Sequence, residues 1–230
     1  MRHTGRYNPR AWAVAVLAHG LLTPTPLLEA QDLAAARGPA NLFAGVRFRL
    51  EPGHVLVVRG PNGSGKTTLL RILAGLTTAL DGAVRWCGDG MRPLDARLRR
   101  DVAFLGHAPA VKDELSAQEN LVALTRLAGD EPTAQSVRAA LAAAGLDTQR
   151  DLPARVLSQG QRRRIGLARL ASTTRPLWIL DEPATALDDA GLAWLAQLIG
   201  THAASGGIAV VATHQSLDLA RARIATLELA

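Results

Sequence analysis

The stretch Gly60-Pro-Asn-Gly-Ser-Gly-Lys-Thr67 decides the fold of this chain. It satisfies the pattern G-x-x-x-x-G-K-[S/T], and the apolar run Val55-Leu-Val-Val58 before it predicts a buried strand. A helix is predicted after it, with the apolar residues Leu69, Leu70, Ile72 and Leu73. Glycines let the turn fold so tightly that backbone N–H groups converge on phosphate oxygens at the start of the helix. The sequence therefore predicts a phosphate-binding loop. The alternative, a chance glycine-rich turn, would not be expected to have a strand before it and a helix after it.

The loop favours a nucleoside triphosphate, and we expect ATP with Mg²⁺. Lys66 is predicted to reach the β- and γ-phosphates, and the Thr67 hydroxyl to coordinate Mg²⁺. The predicted nucleotide-binding residues of this segment are Gly60, Pro61, Asn62, Gly63, Ser64, Gly65, Lys66, Thr67 and Thr68.

A second apolar strand, Leu177-Trp-Ile-Leu-Asp-Glu182, ends in two acids. A strand buried on both faces ends in acids only where its tip reaches a polar site, so we place Asp181 beside the phosphate loop. Asp181 is predicted to hold Mg²⁺, usually through water, and Glu182 to orient or deprotonate the attacking water. A solvated turn after a core strand is the alternative for these acids taken alone.

The remaining pattern predicts an α/β fold. Ile208-Ala-Val-Val211 is a further buried-strand candidate, so strands and helices alternate as in a parallel sheet covered by helices. Val46-Arg-Phe-Arg-Leu50 alternates apolar and charged residues, as in a half-buried antiparallel strand. Ser116-Ala-Gln-Glu119 is a capping box opening a helix, and a second, alanine-rich helix spans residues 133–144 and stops at Gly145. An all-helical insertion is expected over about residues 109–157.

Composition sets the class of protein. The chain has 230 residues, 48% hydrophobic and 20% charged, as in a soluble globular protein. The net charge of +6 suits nucleic acid or an anionic membrane, but the only tight basic cluster is Arg162-Arg-Arg164. The single cysteine, Cys87, excludes an internal disulfide and fits a reducing compartment. No apolar run reaches the roughly 18 residues of a membrane-spanning helix.

The first 26 residues are interpreted as a loose N-terminal extension, with the folded domain at 27–230, starting near Pro26. An apolar run over residues 11–22 follows Arg2, Arg6 and Arg10 and imitates a signal peptide. Export would separate an ATPase from its ATP, so that interpretation is set aside. An upstream start codon and a short interfacial helix both remain open.

Leu157-Ser-Gln-Gly-Gln161 resembles the signature motif of ABC ATPases, usually L-S-G-G-Q, and the helix Arg-Arg-Arg-Ile-Gly-Leu-Ala-Arg169 typical of that family follows it. The order of the motifs along the chain agrees with that of the ABC ATPases over roughly residues 27–230. The phosphate loop, signature, second acidic motif, D-loop and switch histidine are represented in turn by Lys66, Ser158, Asp181, Asp188 and His214. The resemblance implies the ABC cassette of P-loop NTPases. That cassette has a RecA-like parallel-sheet core, an antiparallel β subdomain and an inserted α-helical subdomain.

The resemblance also implies that two copies share their nucleotides. Ser158, Gly160 and Gln161 would form a second γ-phosphate cradle for the nucleotide of the other copy, and Asp188 would contact the partner's phosphate loop. His214 would meet the γ-phosphate at the carboxyl edge of the sheet.

Beyond Gln159, which replaces one glycine of the signature motif, two further features depart from the usual pattern. His107 occupies the position that is usually glutamine, where it could hydrogen-bond water or touch the metal shell, so we include it among the catalytic candidates. The adenine-stacking tyrosine is missing, because the only tyrosine is Tyr7; Arg37 either stacks on the base or is a solvated surface residue.

Three segments are similar to the haem-exporter ATP-binding subunits of the cytochrome c maturation (Ccm) system, in which histidine is normal at position 107. They are Gly106-His-x-Pro-x-x-Lys-x-Glu-Leu115, Glu119-Asn-Leu121 and Arg175-Pro-Leu-Trp-Ile-Leu-Asp-Glu-Pro-Ala-Thr-Ala-Leu-Asp188. This resemblance implies an ATPase motor, peripheral to the cytoplasmic face of the bacterial inner membrane, with a second copy and the integral membrane permease subunits of the haem pathway as partners.

The alternatives are the ATPase of another ABC transporter and a soluble ABC ATPase acting on nucleic acid or ribosomes. The soluble proteins usually carry a second cassette, a long coiled coil or a basic linker, and none is visible here, so no nucleic-acid partner is expected. A phosphate-binding module without turnover conflicts with an intact Glu182.

Overall fold

A computed structural model describes residues 27–219 and 222–230. The expectations for residues 1–26, including the start of the domain near Pro26, lie outside the described residues. The strands are β1 (Leu28–Arg37), β2 (Ala40–Leu50), β3 (His54–Arg59), β4 (Asp81–Trp86), β5 (Asp89–Gly90), β6 (Val102–Leu105), β7 (Leu177–Asp181), β8 (Ile208–Ala212) and β9 (Arg223–Glu228). The α-helices are α1 (Lys66–Leu73), α2 (Ala96–Asp101), α3 (Ala117–Leu127), α4 (Ala134–Ala143), α5 (Gln159–Ser172) and α6 (Asp189–Ala204), and a 3₁₀ helix spans Ala154–Val156.

Five strands form a parallel sheet in the order β6-β7-β8-β3-β9. Every residue of β7 and β8 is buried, as their continuous apolar runs predict. Asp181 pairs with Ala212 and Leu105 with Leu180, so the carboxyl ends of β6, β7 and β8 reach the same edge of the sheet. This edge is where ligands bind in open α/β sheets.

The other four strands form an antiparallel sheet in the order β2-β1-β4-β5. The alternating pattern at residues 46–50 correctly predicted the end of β2, where Val46 and Leu50 are buried, Phe48 is half-buried, and Arg47 and Arg49 are exposed. This sheet, α1 and one face of the parallel sheet share a core that contains Leu33, Leu69 and Val210. The phosphate-loop helix is therefore clamped between two sheets.

Helices occupy the chain between β6 and β7. The capping box predicted at Ser116 is present: the Ser116 hydroxyl accepts from Glu119 N–H, and the Glu119 carboxylate accepts from Ser116 N–H. Thr133 caps α4 in the same way with Ser136. These helices and α5 enclose a separate core around Leu121, Leu141 and Ile165. The whole arrangement is the α/β fold predicted from the sequence, with a parallel sheet, an antiparallel sheet and inserted helices.

Within the described ranges, no helix has both the length and the apolar character required to cross a membrane.

Candidate functional site

Four loops meet at the carboxyl edge of the parallel sheet. The phosphate loop (residues 60–67) follows β3, Asp181 ends β7 with Glu182 immediately after it, and His214 is the second residue after β8. The His107 loop (residues 106–116) follows β6. The order of the strands therefore places the loops that carry the predicted catalytic residues at the same edge of the sheet as the phosphate loop.

The phosphate loop has the tight geometry that its glycines permit. Gly65 caps α1 with φ 94°, and a Cβ there would lie 2.9 Å from the Phe43 ring, so a larger residue would be strained and crowded. The Lys66 ammonium donates to the Gly60 and Pro61 carbonyl oxygens at 2.7 and 3.0 Å, which holds it across the loop. Ser64 Oγ is buried and has no hydrogen-bond partner among the described residues. An orphaned hydroxyl inside such a loop is the donor that a phosphate oxygen would satisfy.

Thr67 and Asp181 face each other at the end of β7. The Thr67 hydroxyl donates to Asp181 Oδ2 at 2.9 Å. No cluster of three or more His, Cys, Asp or Glu residues that could hold a metal lies within the described ranges. Mg²⁺ does not need one, since it is usually bound by one or two carboxylates together with substrate phosphates. The hard oxygens of Thr67 and Asp181 fit that donor set.

Glu182 has a strained backbone, with φ 49° in the left-handed region that side chains rarely adopt. Its N–H donates to the Ala212 carbonyl at 2.9 Å, which ties it to the end of β8. Its carboxylate lies 3.5 Å from His214 Nε2, and the Glu182 side chain is mostly enclosed while His214 is exposed. The pair places a mostly enclosed carboxylate beside an accessible histidine, and the water-activating role of Glu182 stays a prediction.

The signature turn (residues 158–161) begins α5. Ser158 caps the helix: its hydroxyl accepts from Gln161 N–H at 3.1 Å, and Gln161 Oε1 accepts from Ser158 N–H at 2.9 Å. A Cβ on Gly160 would lie 2.4 Å from the Ala186 carbonyl oxygen, so only glycine allows this approach. Ser158 is exposed, which leaves its hydroxyl proton free to donate outward.

Asp188 is held within its own chain. Its carboxylate caps α6 by accepting from Gly191 N–H at 3.0 Å, and it forms an ion pair with Arg164. The hydrogen bond from Gly191 N–H, followed by the one from Arg164, holds the pKa of Asp188 below its usual range. The side chain is 70% exposed, so the ionised group faces outward.

The signature turn and Asp188 thus form a second cluster. Gly160 packs on the segment that carries Asp188, and Arg164 joins Asp188 to the signature helix. In the described part of the chain, no hydrogen bond links residues 158–161 to the phosphate loop. Arg37 ends β1 and is exposed; its role toward a base stays a prediction.

The arginine tract was not understood from the sequence. Arg163 is buried and donates to carbonyl oxygens of the His107 loop and of residues 181–183. Burial lowers its pKa from the usual value, although Asp181 and Glu182 act in the opposite direction. Arg162 pairs with Asp113, and Arg164 donates to the Ala144 carbonyl as well as pairing with Asp188. The available sequence signal was the period of the helix, because three successive arginines on a helix point to different sides and therefore have different surroundings.

One chain carries all four motifs: the phosphate loop, the acids at the end of β7, the signature turn and the histidine after β8. This combination defines a nucleotide-binding ATPase subunit. The sequence profile of the ABC transporter family matches residues 43–185, and the chain belongs to that family. Among solved structures, a dimeric ATP-binding cassette in a post-hydrolysis state, bound to ADP and Pi, has a similar fold. Its TM-score is 0.72 at 24% identity, with 88% of this chain and 96% of that chain covered.

Curated relatives narrow the assignment. The chain is 48% identical over 194 residues to the cytochrome c biogenesis ATP-binding export protein CcmA 1 of Cupriavidus metallidurans, covering 84% of this chain and 94% of that protein. It is 48% identical over 193 residues to the CcmA protein of Pseudomonas aeruginosa, covering 84% and 95%. Within the ABC transporters, the chain belongs to the family of cytochrome c biogenesis ATP-binding export proteins, CcmA.

Proposed function

We propose that this chain is the ATP-hydrolysing motor subunit of the cytochrome c maturation system that exports haem or releases a haem-loaded chaperone. The observation that carries the proposal is the convergence of the phosphate loop, Asp181, Glu182 and His214 on one sheet edge. The similarity to CcmA proteins supports the pathway.

Each residue at this edge has a task in hydrolysis. The Lys66 ammonium and the buried Ser64 hydroxyl bind the phosphates, while the Glu182 carboxylate orients the attacking water and accepts its proton. His214, 3.5 Å from that carboxylate, donates toward the γ-phosphate. Thr67 and Asp181 would hold Mg²⁺, which would supply positive charge to the bound phosphates.

A second copy of the chain completes each site. In the described part of the chain, the signature turn forms hydrogen bonds within itself and none to the phosphate loop of the same copy. Ser158 is exposed at the N-terminus of α5, a helix of 14 residues. Such an end attracts an anion through its free N–H groups and dipole. The γ-phosphate held by the other copy is the anion that Ser158, Gly160 and Gln161 receive, and Asp188 meets the phosphate loop of that copy.

The surface between the His107 loop and α3 is the contact with the permease subunits of the haem pathway. Asn120 is buried and fixes this loop: its Oδ1 accepts from Lys112 N–H at 2.7 Å, and its Nδ2 donates to the Leu115 carbonyl at 3.0 Å. A groove of about 410 Å³ lies alongside, between α3 and α4, and is lined by residues such as Val122 and Val137. A rigid loop beside an open groove suits a short permease segment. The chain is then peripheral to the cytoplasmic face of the inner membrane.

The arginine tract does not favour the alternative of a nucleic-acid partner. Electrostatic binding to nucleic acid requires cations free to reach phosphates. Arg163 is buried, Arg164 is paired with Asp188, and Arg162 is paired with Asp113. The tract therefore serves internal contacts, and the membrane motor remains the better-supported function.

Deletion of the gene in its source organism, with no duplicate gene present, tests the pathway. We expect loss of covalent c-type cytochromes on a haem-stained gel, while b-type haem proteins stay normal because haem synthesis is untouched. Complementation with Lys66→Ala should fail, since the phosphates lose their principal cation. Arg71→Ala, which removes an exposed charge from the same helix, should complement. Normal c-type cytochromes in the deletion strain would contradict the pathway and leave the motor function standing.

A further inference from the structure

Arg163 lies in the middle of the arginine tract, one turn into α5 from the signature turn. It is only 3% exposed, whereas Arg162 and Arg164 on either side pair with acids nearer the surface. Among the described residues, no carboxylate lies within ion-pair distance of the Arg163 guanidinium. Its donors are used on backbone carbonyl oxygens instead.

One side of the guanidinium holds the segment that carries Glu182, the proposed general base. Nη2 donates to the Asp181 carbonyl at 2.8 Å and to the Glu182 carbonyl at 2.6 Å, and Nε donates to the Pro183 carbonyl at 3.4 Å. This is the backbone in which Glu182 adopts φ 49°. A strained conformation persists only where its surroundings determine it, and here the Ala212 carbonyl and Arg163 supply the contacts to the two sides of that residue's backbone.

The other side of the guanidinium holds the His107 loop. Nη1 donates to the Gly106 and His107 carbonyl oxygens, both at 2.9 Å. A planar guanidinium has a rigid fork of donors, so these two loops cannot shift relative to each other without breaking its hydrogen bonds. A lysine ammonium in the same place would lack that fork.

We propose that Arg163 is a positioning residue for ATP hydrolysis, which fixes the Glu182 backbone and the His107 loop in one arrangement with the signature helix. The proposal rests on the roles proposed above for Glu182 and for the His107 loop. It implies that a shift of the loop or of α5 is transmitted to the position of the Glu182 carboxylate. Arg163 acts through Glu182 and does not itself touch the nucleotide.

Arg175 provides a matched control within the chain. It is 6% exposed, donates to the carbonyl oxygens of Arg99 and Ala128, and pairs with Asp130. Like Arg163, it is a buried arginine that joins distant segments through backbone carbonyl oxygens, but it also pairs with a carboxylate, and the segments it joins lie outside the four loops of the site. A merely structural arginine should behave like Arg175 when it is replaced.

The test uses the full-length chain purified with its membrane subunits, and compares Arg163→Lys, Arg163→Gln and Arg175→Lys with the unaltered protein. Melting temperature, kcat and KM for MgATP are measured for each. We expect both Arg163 variants to lose about 10- to 100-fold in kcat, the cost of a small misplacement of a catalytic group, with KM nearly unchanged. Arg175→Lys should lower the melting temperature and keep kcat. An unchanged kcat in both Arg163 variants, or a kcat loss in Arg175→Lys as large as theirs, overturns the proposal.

The double variant Glu182→Gln with Arg163→Gln separates positioning from general damage. If Arg163 acts through Glu182, its replacement should reduce the residual turnover of Glu182→Gln no further; multiplied losses would overturn the proposal. Glu182→Gln alone distinguishes the two levels of inference. Normal turnover in that single variant refutes the role of Glu182, whereas an inactive single variant beside a fully active Arg163→Gln refutes only the positioning role.

Discussion

The Thr67 hydroxyl donates a 2.9 Å hydrogen bond to the Asp181 carboxylate, joining residues 114 positions apart in the chain. The bond connects the phosphate loop at the start of α1 with the end of β7. It sets two hard oxygen atoms side by side, and the predicted consequence is a magnesium site that depends on both.

Asp181→Asn should remove the magnesium dependence of nucleotide binding. The amide still accepts a hydrogen bond from Thr67 but no longer offers a charged ligand to the metal, so ATP affinity with Mg²⁺ should fall to its value in EDTA. Titration of a fluorescent ATP analogue with and without Mg²⁺ measures both affinities. Asp147→Asn, an exposed acid outside the site, serves as the control. A variant that still gains affinity on adding Mg²⁺ would show that Asp181 is not a ligand.

Glu182→Gln should bind MgATP normally and hydrolyse it roughly 10²- to 10⁴-fold more slowly, because the general base is lost while the phosphate loop is intact. Phosphate release by the complex with its membrane partners measures turnover. Glu51→Gln, an exposed glutamate near the start of β3, controls for loss of a carboxylate. Turnover at the normal rate in Glu182→Gln would refute the assignment of the base.

Ser158→Arg should abolish ATP-dependent dimerisation, since a large side chain fills the cradle that receives the other copy's γ-phosphate. ATP affinity of the monomer should barely change, because the phosphate loop is elsewhere in the chain. The measurement is size-exclusion chromatography with ATP in a Glu182→Gln background. Thr133→Arg is the matched control, since Thr133 is also an exposed cap with a capping box but begins α4. If the Ser158→Arg protein dimerises like this control, the signature turn has been misassigned.

His202 should make the folded state sensitive to acid. Its ring stacks on Trp178 with centroids 3.9 Å apart, and burial lowers its pKa to about 4. In the unfolded chain the histidine has its ordinary pKa of about 6.5. The contribution of the neutral His202 to stability is therefore fully present above that pH and is lost as the pH falls toward 4. The free energy of unfolding should drop by about 3 kcal/mol across this window from His202 alone. Urea denaturation of His202→Phe should show a shallower pH dependence, and an unchanged dependence would contradict the prediction.

Local patterns were sufficient for the parts of the fold whose conformation depends on near neighbours. The capping box predicted at Ser116 begins a helix, and the helix predicted from Thr133 is present, where the structure adds a capping box with Ser136. The apolar runs of β3, β7 and β8 are buried parallel strands because such runs are stable only inside a covered sheet. Motif order then indicated which loops would share the carboxyl edge.

Strand β1 could not be predicted in this way. Its sequence is rich in alanine, and Asp32 within it has φ 51°, so neither propensity nor strict alternation indicates a strand. It becomes a strand because β2 and β4 pair with it on both sides, with register shifts near Asp32. β2 follows β1 after a turn of two residues, but β4 lies more than forty residues further along the chain, and only the folded sheet supplies the hydrogen bonds between β1 and β4.

The sequence by itself determined the parallel-sheet core, the phosphate loop, the acids at the end of β7 and the signature turn, because each depends on the chemistry of a short segment. Tertiary structure alone decided how Arg162, Arg163 and Arg164 are used. Successive residues of a helix point about 100° apart, so one arginine is buried beneath Glu182 while its neighbours pair with Asp113 and Asp188. Which face of α5 is buried is set by the packing of α3, α4, α6 and β6 against it, and these contacts exist only in the folded chain.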